Sequence, residues 1–171
     1  MKIIAFDPSS ATVGYSVSEN GAIIDAGLIK PTRTKDDAAT RIRDMRRDVV
    51  DLVDEHYEHH WQPDTIAVIE SPSKHVGRRH GGGGAGLAIY GWAVGMVQAT
   101  CVSLMGEDQV HVVSVDEWTR GRRKASRLAM VKAAWPAWTV EADPGMDAAD
   151  AIALNLFWID KQLAAAPEGV K

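Results

Sequence analysis

KIIAFDPSSATVGYSVSENGAIIDAGLI, residues 2–29, contains three short runs with β character, divided by two turn signals. The first, Lys2 to Phe6, is apolar and ends at Asp7; Pro8-Ser9-Ser10 forms a turn, and Thr12 to Val17 supplies β-branched and aromatic residues for a second strand. Asn20-Gly21 is the strongest short hairpin signal in the chain, because both residues tolerate the positive φ that a two-residue turn requires. Ala22 to Ile29 follows as a third strand. An antiparallel three-stranded meander therefore opens the fold.

Beyond Lys35 the apolar period changes. Ile42, Met45, Val49, Leu52 or Val53, and His56 fall at steps of three and four, which predicts an amphipathic helix. Thr65 to Ile69 is a β-branched run ending at Glu70, with Pro72 stopping the ladder, and reads as a buried central strand. Ser71 to Gly86, with consecutive glycines from Gly81 to Gly84, is expected to be a mobile loop. Leu87 to Leu104 predicts a buried helix, His111 to Val115 a strand, and Asp116 a cap before a short turn holding Trp118. Helices are expected at about Ser126 to Ala134 and Ala148 to Ala164, with a frayed tail at about 165–171. This order gives an α/β class: a five-stranded mixed sheet with its first three strands antiparallel, flanked by helices, in one domain over 1–171.

Asp7 and Glu70 each end an apolar strand, so as sheet neighbours their carboxylates would emerge at the same end. Asp147 and Asp150, three apart in Asp147-Ala148-Ala149-Asp150-Ala151, share one face of a helix start. Four acids from three distant places would then meet beside the sheet. Like charges this close cannot all ionise in a poorly solvated cleft, so a cluster implies cations. All-oxygen ligands select hard ions such as Mg²⁺ or Mn²⁺, and two such ions suit hydrolysis of a phosphodiester by in-line attack of a metal-bound water. Singly, each residue has a plainer reading: Asp7 as a turn residue before Pro8, Glu70 as an exposed strand end, Asp147 as an N-cap with Asp150 favourable to the helix dipole. Their conjunction points to chemistry.

With these residues in view, the chain resembles the RuvC-type Holliday-junction resolvases of the RNase H-like superfamily. The resemblance rests on Ile3-Ile4-Ala5-Phe6-Asp7-Pro8-Ser9-Ser10 with Gly14-Tyr15, on Ile66-Ala67-Val68-Ile69-Glu70, on the helix around Gly91 to Ala99, and on Asp147-Ala148-Ala149-Asp150-Ala151. It implies an RNase H-like fold and a homodimer that nicks two strands of a four-way DNA junction symmetrically. It also implies that Asp7, Glu70, Asp147 and Asp150 are the metal-binding catalytic acids, with two Mg²⁺ ions replaceable by Mn²⁺, and that Lys124 stands at the scissile phosphate or its neighbour. Family members carry an aromatic residue shortly after the strand Glu; Ser71-Pro72-Ser73-Lys74-His75 stands there instead.

The full chain of 171 residues and 18.5 kDa has a formal net charge of −4 and pI near 5.8, which excludes a uniformly basic nucleic-acid coat. Its basic residues are nevertheless clustered. Lys74, His75, Arg78 and Arg79 form one stretch, continued by His80; Arg120, Arg122, Arg123 and Lys124 form another, continued by Arg127, and both are candidate DNA-binding segments. The single cysteine, Cys101, precludes an internal disulfide and is expected to be buried and inert. The reading is of a cytoplasmic protein with no membrane-spanning segment. His56, His59 and His60 fit a helix end, and Arg41, Arg43, Arg46 and Arg47 interleave with Asp44 and Asp48 as a solvated face. The tryptophans are expected in the core, Trp118 being the candidate for base stacking.

Three other activities fit parts of this pattern. An RNase H-like nuclease on RNA or other branched DNA would share the acids, and a non-catalytic junction binder would share the basic segments. An actin-like phosphotransferase also opens on an Asp-ended strand, but its second lobe has no room in a chain of this length.

Overall fold

The computed structural model describes residues 1–57, 64–73 and 84–165. Its strands are β1 (Lys2–Pro8), β2 (Val13–Glu19), β3 (Ala22–Ile29), β4 (Thr65–Ser71) and β5 (Val110–Ser114). Its helices are α1 (Ala38–His56), α2 (Gly84–Met105), α3 (Val115–Thr119), α4 (Lys124–Ala134) and α5 (Asp147–Ala165), with one 3₁₀ turn at Glu107–Gln109. The sheet order is β3-β2-β1-β4-β5, with β1 antiparallel to β2, β2 antiparallel to β3, and β4 parallel to both β1 and β5. The opening meander and the mixed five-stranded sheet are as the sequence predicts. The turn joining β2 to β3 has φ of 51° at Asn20 and 84° at Gly21, the doubly positive conformation favoured in tight hairpins.

Side-chain alternation divides the core into two layers. Ile4, Phe6, Ala67 and Ile69 face α1 and α2, whereas Ile3, Ala5, Val68 and Val113 face α3, α4 and α5. Because β1 and β4 are covered on both faces, they read as continuous apolar runs rather than alternating ones. The same period-2 rule puts Asp7 and Glu70 on the α5 side, and the register Phe6↔Ile69 brings them side by side.

The α5 helix is held in register by a buried polar knot. The Asn155 amide Nδ2 donates to the Ile3 carbonyl (3.3 Å), the Ser16 carbonyl (3.2 Å) and Ser16 Oγ (3.1 Å), and its Oδ1 accepts from Ser18 Oγ at 2.7 Å. Ser16 Oγ donates to the Ala151 carbonyl at 2.9 Å. Buried polar groups satisfied this fully specify one helix position, since any slip would strand them.

Several boundaries differ from expectation. Ser114 ends β5 and Val115 begins α3, so the turn around Trp118 is itself helical; α4 begins at Lys124, two residues before Ser126. Gly84 and Gly86 belong to α2 rather than to a loop, and the rest of the glycine run lies outside the described residues. The α2 helix is buried along one side only, with Leu87 and Trp92 exposed on the other, Trp92 at 56%. By length and composition Gly86–Met105 would be enough to cross a membrane, and here it packs on α1 and the sheet. The predicted tail falls at and beyond the end of α5, and residues 166–171 lie outside the described set.

One close approach fixes how α5 meets the sheet. A Cβ added to Gly14 would lie 2.1 Å from the Asp147 carbonyl oxygen, a backbone atom that cannot rotate away. Gly14→Ala is therefore expected to destabilise the protein at the upper end of about 1–3 kcal/mol, or roughly 6–12 °C in Tm for a chain of this size, measured by thermal unfolding.

Candidate active site

Four predicted acids meet at the end of the sheet where β1 and β4 terminate beside the start of α5. Asp7 is 9% exposed and Glu70 is 7% exposed. Asp7 pairs in register with Gly14 across β1 and β2, and the close contact of Gly14 with the Asp147 backbone brings the start of α5 one strand away. The Asp147 carboxylate accepts a hydrogen bond from the Thr12 hydroxyl. Asp150 lies one turn further along α5, where Arg127 Nη1 approaches its Oδ1 at 3.4 Å.

Both Glu70 oxygens have protein donors. Trp118 Nε1 donates to Oε2 at 2.8 Å, and the Tyr90 hydroxyl donates to Oε1 at 3.4 Å. Trp118 is 3% exposed, so it offers no face to a nucleobase. Trp118 thus lies in the core, as expected of the tryptophans, and its candidacy for base stacking is corrected: it is a buried indole whose N–H reaches a carboxylate. Burial forces that result: an indole N–H taken from water requires an acceptor.

Electrostatics show how crowded the acids are. Burial raises the Asp7 pKa well above the usual carboxylate range, and the negative charges of Glu70, Asp147, Asp150 and Asp143 push it further. Glu70 rises from 4.5 to about 7, first through burial and then through Asp150, partly offset by its Trp118 and Tyr90 hydrogen bonds and by Arg127. Burial raises Asp147 and Asp150 as well; Thr12 and Lys124 lower Asp147, whereas Arg127 and Lys124 lower Asp150.

Asp143 is the member that sequence reasoning missed. Only 2% exposed, its Oδ2 accepts from Ala149 N (2.9 Å) and Trp138 Nε1 (2.9 Å). It thereby satisfies a free N–H of the first turn of α5, the task that the plainer reading gave to Asp147. The Asp147 side chain is left to face Thr12 and the other acids. An Asp shortly before a helix start was the available signal, masked by the more prominent pair that follows it.

The donor set is all carboxylate oxygen, the chemistry that suits Mg²⁺ or Mn²⁺. Among the described residues, however, no three acidic, His or Cys side chains are arranged to hold an ion as they stand. The acids therefore fit a hard divalent ion in chemistry and in mutual charge, without forming a closed cage.

Among the predicted DNA-binding residues, Lys124 comes within electrostatic reach of Asp147 and Asp150. Arg120, Arg122, Arg123 and Lys124 are exposed; Arg120 lies over the Phe157 ring at 5.2 Å, and Arg122 Nη1 contacts Met130 Sδ at 3.6 Å. Lys74, His75, Arg78 and Arg79 lie outside the described residues, as do His59, His60, His80 and Trp61. Cys101 is buried, which pushes its thiol up to about 12, in keeping with an inert side chain.

The shifted Glu70 fixes the sign of a pH effect. A carboxyl whose pKa is higher in the folded chain contributes most below its unfolded value, and that contribution is lost as pH rises through the folded value. In EDTA, Glu70→Gln should therefore match the wild type near pH 4.5 and become the more stable of the two by pH 7, by up to about 3 kcal/mol. Denaturant unfolding across that range measures it; a constant difference would refute the assignment.

No protein-family model matches the sequence, and no curated protein matches it. Solved structures do. A Thermus thermophilus RuvC in complex with a Holliday junction substrate is similar over 97% of this chain and 98% of its own, with TM-score 0.70 and 15% identity. A second Thermus thermophilus RuvC structure is similar over 96% and 97%, with TM-score 0.67 and 17% identity. Both similarities span nearly the whole of each chain, and the chain has the fold of the RuvC-type resolvases.

Proposed function

We propose that this chain is a divalent-metal-dependent endonuclease that resolves four-way DNA junctions by symmetric phosphodiester nicking. The observation that carries this reading is the gathering of Asp7, Glu70, Asp147 and Asp150 at one end of the sheet, with the Lys124 charge beside them. The fold shared with a RuvC bound to a Holliday junction substrate supports the choice of DNA.

In this reading the four acids hold Mg²⁺, or Mn²⁺ in its place, as two ions per site. When bound, such ions stabilise the attacking and leaving oxygens of displacement at phosphorus. The chain's own groups do the rest. Lys124 faces the reacting phosphate; Arg120, Arg122 and Arg123 neutralise neighbouring phosphates, a role extended to Lys74, His75, Arg78 and Arg79 after β4. Binding of this kind weakens steeply with salt.

Incubating a four-way junction with Mg²⁺ and with Mn²⁺ tests the activity. Asp7→Asn and Asp147→Asn should each lower the nicking rate by about 100-fold or more, since each removes several kcal/mol of charge stabilisation at the transition state. Junction binding without nicking in either metal would overturn the enzyme reading in favour of a binding protein.

Symmetric nicking requires two sites, and α2 offers a surface for pairing two copies. Leu87, Ala88, Gly91, Trp92, Gly95 and Ala99 are exposed along it, on a helix with no charged residue from Gly84 to Met105. An added Cβ at Gly91 or Gly95 would meet nothing, so another backbone could approach closely there. A two-fold homodimer through this strip is the proposed assembly. Trp92→Glu should convert it to a monomer in sedimentation equilibrium while leaving the far-UV circular dichroism unchanged.

A further inference from the structure

We infer that Trp118 and Arg127 are positioning residues that join Glu70 to Asp150 across the acid cluster and set its affinity for divalent ions. This rests on the metal-site reading above. The geometry is a continuous chain of contacts: the Trp118 indole N–H donates to Glu70 Oε2 at 2.8 Å, the Arg127 guanidinium lies over the Trp118 ring at 4.9 Å from its centroid, and Arg127 Nη1 reaches Asp150 Oδ1 at 3.4 Å. Four elements, β4, α3, α4 and α5, are tied by two side chains.

Three features distinguish this from ordinary packing. First, the chain of contacts ends on a carboxylate of the cluster at each side, Glu70 at one and Asp150 at the other. Second, among the described residues Arg127 makes the one ion pair to these four acids, and its buried Nε has no partner there, so the guanidinium is held by the ring and by Asp150. Stacking on a flat face while donating sideways is a geometry that guanidinium has and ammonium lacks. Third, Trp118 and Arg127 bracket the exposed basic residues Arg120, Arg122, Arg123 and Lys124, so that segment is anchored at both ends on the acids it adjoins. Groups that orient metal-ligating carboxylates from behind typically change metal affinity by about 10- to 100-fold when removed.

Trp118→Phe isolates the indole N–H, because it keeps an aromatic ring for Arg127 to cover. Arg127→Lys keeps the positive charge, so ion–cation repulsion is unchanged while the combination of planar stacking and sideways donation to Asp150 is lost. Mn²⁺ binding by calorimetry on the full chain is the primary readout, with thermal unfolding in EDTA as the folding control and junction nicking across Mn²⁺ concentrations as the third. Trp118→Phe should weaken Mn²⁺ binding by about 10- to 100-fold and Arg127→Lys by about tenfold, both folded in EDTA. The Mn²⁺ needed for half-maximal nicking should rise in step, with most of the maximal rate recovered at saturation. Wild-type Mn²⁺ affinity in both variants, or no Mn²⁺ uptake by the wild type, would overturn the inference. Weakened Mn²⁺ binding in the variants of a wild type that nicks no junction would uphold it while removing the nuclease reading.

Discussion

The backbone of Asp147 lies against Gly14 with no space for a side chain between them, and the placement of the acid cluster depends on that contact. Gly14 is the register partner of Asp7, so pressing the start of α5 onto β2 there delivers the two helix aspartates beside the strand carboxylates. The rest of α5 supports this approach. Asn155, two turns along, is locked to β1 and β2 by its buried hydrogen bonds, and Asp143 takes up the free N–H of Ala149 in its first turn. Translation of the helix would break both sets of bonds, each costly to leave unmade in the interior.

The site these contacts build opposes stability. Burial and mutual repulsion raise Asp7, Glu70, Asp147 and Asp150 above their ordinary range, with Arg127 and Lys124 offsetting only part of it. Hydrogen bonds from Trp118 and Tyr90 satisfy Glu70, and one from Thr12 satisfies Asp147. The surrounding core carries this strain: two apolar layers pack the sheet on both faces, β1, which presents Asp7, is its central strand, and β4, which presents Glu70, is paired on both edges.

Much of this was legible from short-range pattern. The Asn20-Gly21 turn, the continuous apolar runs of β1 and β4, and the three-and-four spacing of α1 each follow from local geometry that a few neighbouring residues impose. Less legible were features set by distant partners. Trp118 reads as an exposed ring beside arginines until the fold buries it under α4; Asp143 reads as a loop acid until α5 turns its first N–H toward it. The α2 helix is apolar all round, so its composition could not tell a buried helix from one covered on a single side.

The sequence by itself determined the strands, their order, and the positions of four acids at element ends, because side-chain periodicity and turn chemistry act over a handful of residues. Only the tertiary structure decided that Asp7 and Glu70 stand side by side, that Asp147 is spared capping duty, and that Trp118 and Arg127 stand among the acids. Those outcomes depend on parallel pairing and helix docking between segments up to 152 residues apart, and such contacts leave no local trace, since their energy comes from burial shared by both partners.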